Sequence, residues 1–183
     1  PLEPALNPEQ LYALVPKIKQ FADIEIIFIV NKDSSDMTAD DWLKMIQTIH
    51  ENQQNFDAFV LTHGTDTMTQ TANAIAYAFG KTLTKPVIIT GSQAEPGALG
   101  TDATVNIERA FRTALSTTIP EVMISFHDFV LRGTRARKSS EKKLAAFHSP
   151  AINPLAEHLG SGIHWYVDSN PLIEKNAEQF LPY

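Results

Sequence analysis

The sequence contains no cysteine. That excludes disulfides and thiol chemistry and fits a cytoplasmic setting, where disulfides are rare. No apolar run approaches the ~20 residues of a membrane-spanning helix, so neither a membrane span nor a membrane partner is expected. Basic residues are in the minority. Fifteen Lys and Arg against 21 Asp and Glu leave a net charge of −6, the wrong sign for a nucleic-acid groove. The six histidines show no H-E-x-x-H or other ligand spacing, so nothing points to a metal site. "GKT" at Gly80–Thr82 lacks the earlier glycine of a phosphate loop, since Ile75 stands in its place. "GSQAEPGALG" is not G-x-G-x-x-G, so a dinucleotide reading also fails.

What is present reads as an ordinary globular chain. At 183 residues, 43% apolar and 20% charged, it is long enough to form one domain with a substantial core, burying roughly 70% of its unfolded surface. Asn7 and Pro8 open a helix that Pro16 breaks. "DIEIIFIV" (Asp23–Val30) is a β-rich run of the kind that fills a covered sheet. "NKDSSDM" (Asn31–Met37) is loop chemistry. Thr38 with Asp41 gives a capping-box-like helix start, and Trp42, Met45, Ile46 and Ile49 lie on its inner face. A strand over Ala58–Thr62, a helix from about Thr67 to Phe79 and a strand over Lys85–Thr90 follow. The loop "GSQAEPGALGTDA" leads to a helix with an inner stripe of Val105, Ala110, Phe111 and Leu115. Strands are expected at "EVMISF", "FVLRG" and Gly162–Val167, with a basic surface loop after Arg132. Strand–helix alternation with apolar, non-alternating strands predicts an α/β fold: three layers, a mostly parallel sheet and helices on both faces.

In such sheets ligands bind beyond the carboxyl ends of the strands. Three polar loops follow predicted strands: "NKDSSDM", "THGTDT" (Thr62–Thr67) and "GSQAEPG". The second is the most crowded. Gly64 permits a sharp turn, and the following helix offers unpaired N–H groups to a carboxylate or developing oxyanion. Thr65 is a nucleophile only with a base at hand. Thr and Asp before a helix are also its commonest caps, so residues 65 and 66 alone leave both explanations open. His63 is either a base or an ordinary hydrogen-bonded residue. Lys138, among Arg132, Arg135 and Arg137, is either driven toward its neutral, basic form by like charge or part of a solvated basic loop. Ser34 and Ser35 either bind polar substrate groups or close a turn.

Taken together, "THGTDTM", "DSSDMTADDW", "KPVIITGSQ…TDATVNIERAF" and "FVLRGTRARKSSEKKLAAFHSP" resemble, in order, the segments of the asparaginase/glutaminase family of bacterial-type amidohydrolases. The resemblance covers nearly the whole chain and leans toward the family's cytoplasmic type. It implies hydrolysis of the side-chain amide of L-asparagine, and in some members L-glutamine, with no cofactor. It assigns Thr65 as one of two active-site threonines and Lys138 as its activator. Asp66 binds the substrate α-amino group or organises the lysine, and Gly64 belongs to the same motif. Ser34 sits at the substrate α-carboxylate, Ser35 holds the next binding position, and Asp33 is loop architecture. Membership also implies a homo-oligomer.

Two family features have no counterpart in this sequence. One is an initial strand with a "TGGTI"-like turn that carries the other threonine. The other is a smaller C-terminal domain. Residues 1–183 are therefore expected to form the N-terminal domain alone, with 168–183 the start of an interdomain linker. Catalytic competence is expected to be reduced, and an unpaired sheet edge is expected to favour association. Three other readings compete: a non-catalytic amino-acid- or partner-binding module, an ammonia-supplying component of a tRNA-dependent amidotransferase, and a phospho-acceptor domain using Asp66.

Overall fold

The computed structural model describes residues 18–160 and 162–167. The helix expected from Asn7, its break at Pro16 and the tail from Asp168 lie outside those residues. Within them, helices α1 (Ala39–Asn52), α2 (Met68–Phe79) and α3 (Ala103–Ser116) pack on strands β1 (Phe59–Thr62), β2 (Val87–Thr90), β3 (Val122–Phe126), β4 (Phe129–Arg132), β7 (Ala156–Leu159) and β8 (Gly162–Trp165). The sheet order is β1-β2-β3-β4-β7-β8, and β5 (Arg137–Lys138) pairs with β6 (Phe147–His148) in a separate ribbon. Strands β1 to β3 are parallel, with Phe59 opposite Val87 and Val87 opposite Val122. Beyond them β4, β7 and β8 extend the sheet antiparallel.

The α/β architecture matches the expectation, and side-chain alternation shows why it is three-layered. Val87, Ile89, Val122 and Ile124 join a core with Ile46, Ile49, Met68 and Ile75 of α1 and α2. Their neighbours Ile88 and Met123 join a second core with Ala110 of α3. Strands covered on both faces have no polar side to show, hence their unbroken apolar runs.

Helix α1 starts as expected. The Asp41 carboxylate accepts from the Thr38 N–H (2.9 Å) and hydroxyl (2.7 Å). It also pairs with Lys32, whose hydrogen bond is the main reason its carboxyl sits far below the usual range. Helix α3 is rotated from the expected stripe. Val105 and Leu115 are 48% and 57% exposed, whereas Asn106, Ile107, Ala110 and Thr113 are buried. Two of those inner positions are polar because they have work inside. Asn106 donates to Gly91 O and accepts from the His127 N–H, and Thr113 donates to Arg109 O. An apolar stripe alone misplaces such a face.

Two further expectations are corrected. The basic loop after Arg132 is ordered into a short 3₁₀ turn, Gly133–Arg135, and strand β5. The run Asp23–Val30 carries no ladder; Ile27 and Phe28 are 42% and 61% exposed. This run and β1 line one cavity of about 1160 Å³ together with Ile49 of α1 and Phe111 of α3, rather than pairing across it. The Phe59 and His63 N–H groups donate to Pro86 and Thr90. Strand alternation therefore turns the backbone groups of Val60 and Thr62 toward the cavity. A β-prone run forms a strand only where a neighbour completes its ladder, and none of the described residues does so here.

Strand β7, absent from the expected elements, brings in His158, which is 4% exposed. Its Nε2 lies 3.3 Å from both Thr113 Oγ1 and Ser125 Oγ, and its buried Nδ1 has no hydrogen-bond partner. Burial, then Arg109 and Arg112, push its pKa down to about 4 against the opposing pull of Asp128. An unfolded histidine titrates near ~6.5, so between about 6.5 and about 4 the unfolded chain binds the extra proton. Stability is expected to fall as pH drops through that window. Urea unfolding of wild type and His158→Gln at pH 7.5 and 4.5 checks this, the variant losing less on acidification.

Candidate functional site

The parallel strands β1 and β2 end side by side at Thr62 and Thr90, which places the loops that follow them on one rim. Against the turn after β1 sits a 3₁₀ turn, Ser34–Asp36. Asp33 Oδ1 accepts the Ser35 N–H (2.8 Å), so Asp33 is loop architecture, as expected. A Cβ on Gly64 would lie 2.7 Å from Ser34 Oγ. Glycine is thus what allows the two loops to touch. Thr67 Oγ1 donates to Ser34 O (2.6 Å) and ties them together.

At the centre is Asp66. Its Oδ1 accepts from Lys138 Nζ (2.6 Å) and its Oδ2 from Ser35 Oγ (3.3 Å). Lys138 also donates to Glu141. The Lys138 hydrogen bond, against the effect of burial and with help from Ser35, holds the Asp66 carboxyl below its usual pKa. Burial pushes Lys138 down, but Asp66 and Glu141 outweigh it and raise the ammonium above its ordinary value.

Of the two readings of Lys138, the one in which neighbouring arginines favour its neutral form therefore does not hold. Arg132 is engaged by Glu121, and Arg135 and Arg137 are exposed. Two carboxylates, not three guanidinium groups, set the local field. At rest Lys138 is a cation.

The capping explanation for this turn does not describe it. Thr67 makes no side-chain capping bond to α2, and Asp66 directs its carboxylate at Lys138 and Ser35. Thr65 and Gly64 arrive with the turn, and Thr65 is half-buried next to Asp66. Ser34 is 4% exposed.

The third loop joins through Gln93. Its side-chain amide reaches Ser140 O and Lys143 O (both 3.4 Å), and its N–H is held by Asp102 Oδ1 (3.0 Å). Thus all three polar loops predicted for the rim converge. His63 is hydrogen-bonded at both ring nitrogens, to Gly64 O and Thr71 Oγ1, the ordinary one of its two readings.

Sequence reasoning missed Glu141 and the Trp42–Thr71 pair behind His63. Glu141 is three residues beyond Lys138, a spacing that becomes informative only once the segment is known to turn there. Among the described residues no group of three or more His, Asp or Glu is placed to hold a metal.

The assembled groups are two carboxylates, Asp66 and Glu141, one ammonium shared between them and several hydroxyls, with Asp66 reaching solvent and Lys138 largely covered. Such a set matches the charges of a free amino acid, and an ammonium beside a hydroxyl can become a base if it surrenders its proton.

Known proteins resemble this chain in sequence and in fold. The family description "Asparaginase, N-terminal" matches residues 1–171. L-asparaginase 1 of Escherichia coli K12 is 40% identical over 132 residues, which is 72% of this chain and 38% of that protein. A glutamyl-tRNA(Gln) amidotransferase component of Sulfurisphaera tokodaii is 31% identical over 189 residues, covering 98% of this chain and 42% of that protein. Among solved structures, a probable cytoplasmic L-asparaginase from Campylobacter jejuni superposes with a TM-score of 0.81 at 27% identity, over 93% of this chain and 54% of that one. The chain thus spans 38–54% of the length of these relatives.

Proposed function

The chain belongs to the asparaginase N-terminal family, and on that premise we propose that its rim is the amide-hydrolysis site of an L-asparaginase-type amidohydrolase. The substrate is L-asparagine, with L-glutamine as the longer alternative, and the products are the acid and ammonia. The observation that carries this reading is the contact of Asp66 with Lys138 and Ser35 in the turn that presents Thr65.

The roles are those that the family resemblance implies. Asp66 takes the substrate α-ammonium, the Ser34 loop its α-carboxylate, and Ser35 an adjacent polar group. A substrate ammonium at Asp66 brings a second cation beside Lys138 and loosens the lysine's hold on its proton. Neutral Lys138 then accepts the Thr65 hydroxyl proton while the oxygen attacks the carboxamide carbon. The proton leaves with ammonia, and water cleaves the resulting ester.

The family resemblance implies a second threonine on a turn after an additional strand. The cavity beside β1 supports a place for that strand, so full turnover is proposed to require it. A homo-oligomer and a cytoplasmic location belong to the same proposal, the latter supported by the Campylobacter relative.

The test is ammonia release from L-asparagine by this chain, alongside L-aspartate binding. The expected result is binding with little turnover. Robust turnover would show the extra turn dispensable, and absence of L-aspartate binding would contradict the site itself. The amidotransferase relative favours one second reading, in which the ammonia passes to a partner protein. It predicts ammonia release that rises when that partner is added.

A further inference from the structure

Behind the Thr65–Asp66 turn runs a chain of hydrogen bonds that the proposed chemistry does not use. Trp42 Nε1 on α1 lies 2.9 Å from Thr71 Oγ1 on α2, Thr71 Oγ1 lies 2.8 Å from His63 Nε2, and His63 Nδ1 lies 2.6 Å from Gly64 O. Thr71 is fully buried. The His63 N–H is itself fixed on Thr90 O (2.8 Å), at the end of the β1–β2 ladder.

The donor and acceptor roles in this chain are not free. A carbonyl oxygen only accepts, so the Nδ1 beside Gly64 O carries a hydrogen. An indole N–H only donates, so Thr71 Oγ1 accepts from Trp42 and directs its own hydrogen to His63 Nε2. Neutral His63 is therefore the Nδ1–H tautomer. Burial, partly offset by the bond to Gly64, keeps the ring's pKa below its usual value and Nε2 free to accept.

The consequence lies one bond further on. The Gly64–Thr65 peptide is planar, and in a trans peptide the carbonyl and the next N–H point in opposite directions. No cis peptide occurs among the described residues. Whatever holds Gly64 O therefore also aims the Thr65 N–H. We propose that His63 is a positioning residue: locked by Trp42 and Thr71, it clamps the Gly64 carbonyl and so sets the direction of the Thr65 N–H and the setting of the Thr65–Asp66 turn toward the amino-acid substrate. His63 touches no reacting atom in this scheme and is not its base.

This deepens the proposed function and rests on it for the identity of the ligand, but its geometry is testable without that ligand. In the ¹⁵N-labelled chain, two-bond ¹H–¹⁵N spectra of His63 at pH 7.5 should show a protonated Nδ1 and an unprotonated Nε2. The reverse assignment, or averaging of the two nitrogens, overturns the proposal. The variants separate positioning from mere filling of space. His63→Asn keeps an amide donor near the place of Nδ1, whereas His63→Leu removes it. His63→Gln, with its amide at the place of Nε2, substitutes for the leucine variant if that one does not fold.

The Thr65 amide resonance should move in His63→Leu and return toward its wild-type position in His63→Asn. L-Aspartate affinity should fall about tenfold in the leucine variant, the equivalent of one hydrogen bond, and stay within about threefold in the asparagine variant. If leucine leaves both readouts unchanged, or if asparagine loses as much as leucine, His63 positions nothing. If wild type does not bind L-aspartate at all, the proposed function fails, while the tautomer and the Thr65 amide still decide this inference.

Discussion

Asp66→Asn is expected to weaken L-aspartate binding roughly 30-fold without disturbing the fold. A hydrogen bond to a charged group contributes about 1.5–3 kcal/mol, and each 1.4 kcal/mol is a factor of about ten. The Asp66 side chain is 54% exposed, so solvent screening holds the effect to the middle of that range. Asparagine preserves the shape and an acceptor for Ser35 Oγ. What it removes is the negative charge that a ligand ammonium and Lys138 share, leaving Lys138 only Glu141 as an anionic partner. The melting temperature should move little, because asparagine keeps a hydrogen-bond partner in place and Lys138 retains Glu141. Calorimetric titration with L-aspartate, accompanied by a thermal melt, checks both halves. A loss of less than threefold would mean that the ligand ammonium does not sit at Asp66.

Gly91→Ala carries the largest expected effect on stability, a loss of about 3 kcal/mol or more, the upper end of what overpacking costs. A Cβ there would stand 2.1 Å from the His63 carbonyl oxygen and 3.0 Å from Met68 Cε. Met68 can bend aside. The His63 backbone cannot, because its N–H is bonded to Thr90 O and its strand is in register with β2. Either β1 and β2 part at their carboxyl ends or the chain does not fold. Since those ends carry the rim, any folded remnant should also lose L-aspartate affinity. Urea unfolding gives the stability change, and a cost below about 1 kcal/mol would show that the close approach of Gly91 to β1 is not maintained in solution.

Of these two residues, Asp66 was legible in the sequence and the close approach of Gly91 to the His63 carbonyl was not. The β1–α2 turn was readable because its chemistry is local. Residues 65 and 66 alone left capping and chemistry both open, but the α/β rule places the Ser34 and Gln93 loops beside them, and the three loops together narrow the choice. The loops do converge.

The protonation of Lys138 was not readable, because it depends on which charges lie near in space. Arg132, Arg135 and Arg137 are neighbours in sequence, while Asp66 is 72 residues away and forms the contact. Nor was the inner face of α3, where Asn106 and Thr113 are buried for their hydrogen bonds rather than for apolarity. The run Asp23–Val30 shows the converse. Its strand propensity is plain, yet propensity acts only when a neighbouring backbone completes the ladder, and none of the described residues pairs with it. Which loops share the rim follows from the fold rule, whereas which charges and hydrogen-bond partners meet there is set by side-chain packing that no sequence pattern carries.

The central claim is that Ser34, Ser35, Thr65, Asp66 and Lys138 form one amino-acid site. The most direct measurement is a titration of the ¹⁵N-labelled chain with L-aspartate, followed residue by residue through the backbone amides and the Lys138 ammonium. The account predicts saturable shifts with a single dissociation constant at Ser34, Ser35, Thr65, Asp66 and Lys138, and little change on β7 and β8. No saturable shift at those residues, or shifts centred elsewhere in the chain, would contradict it.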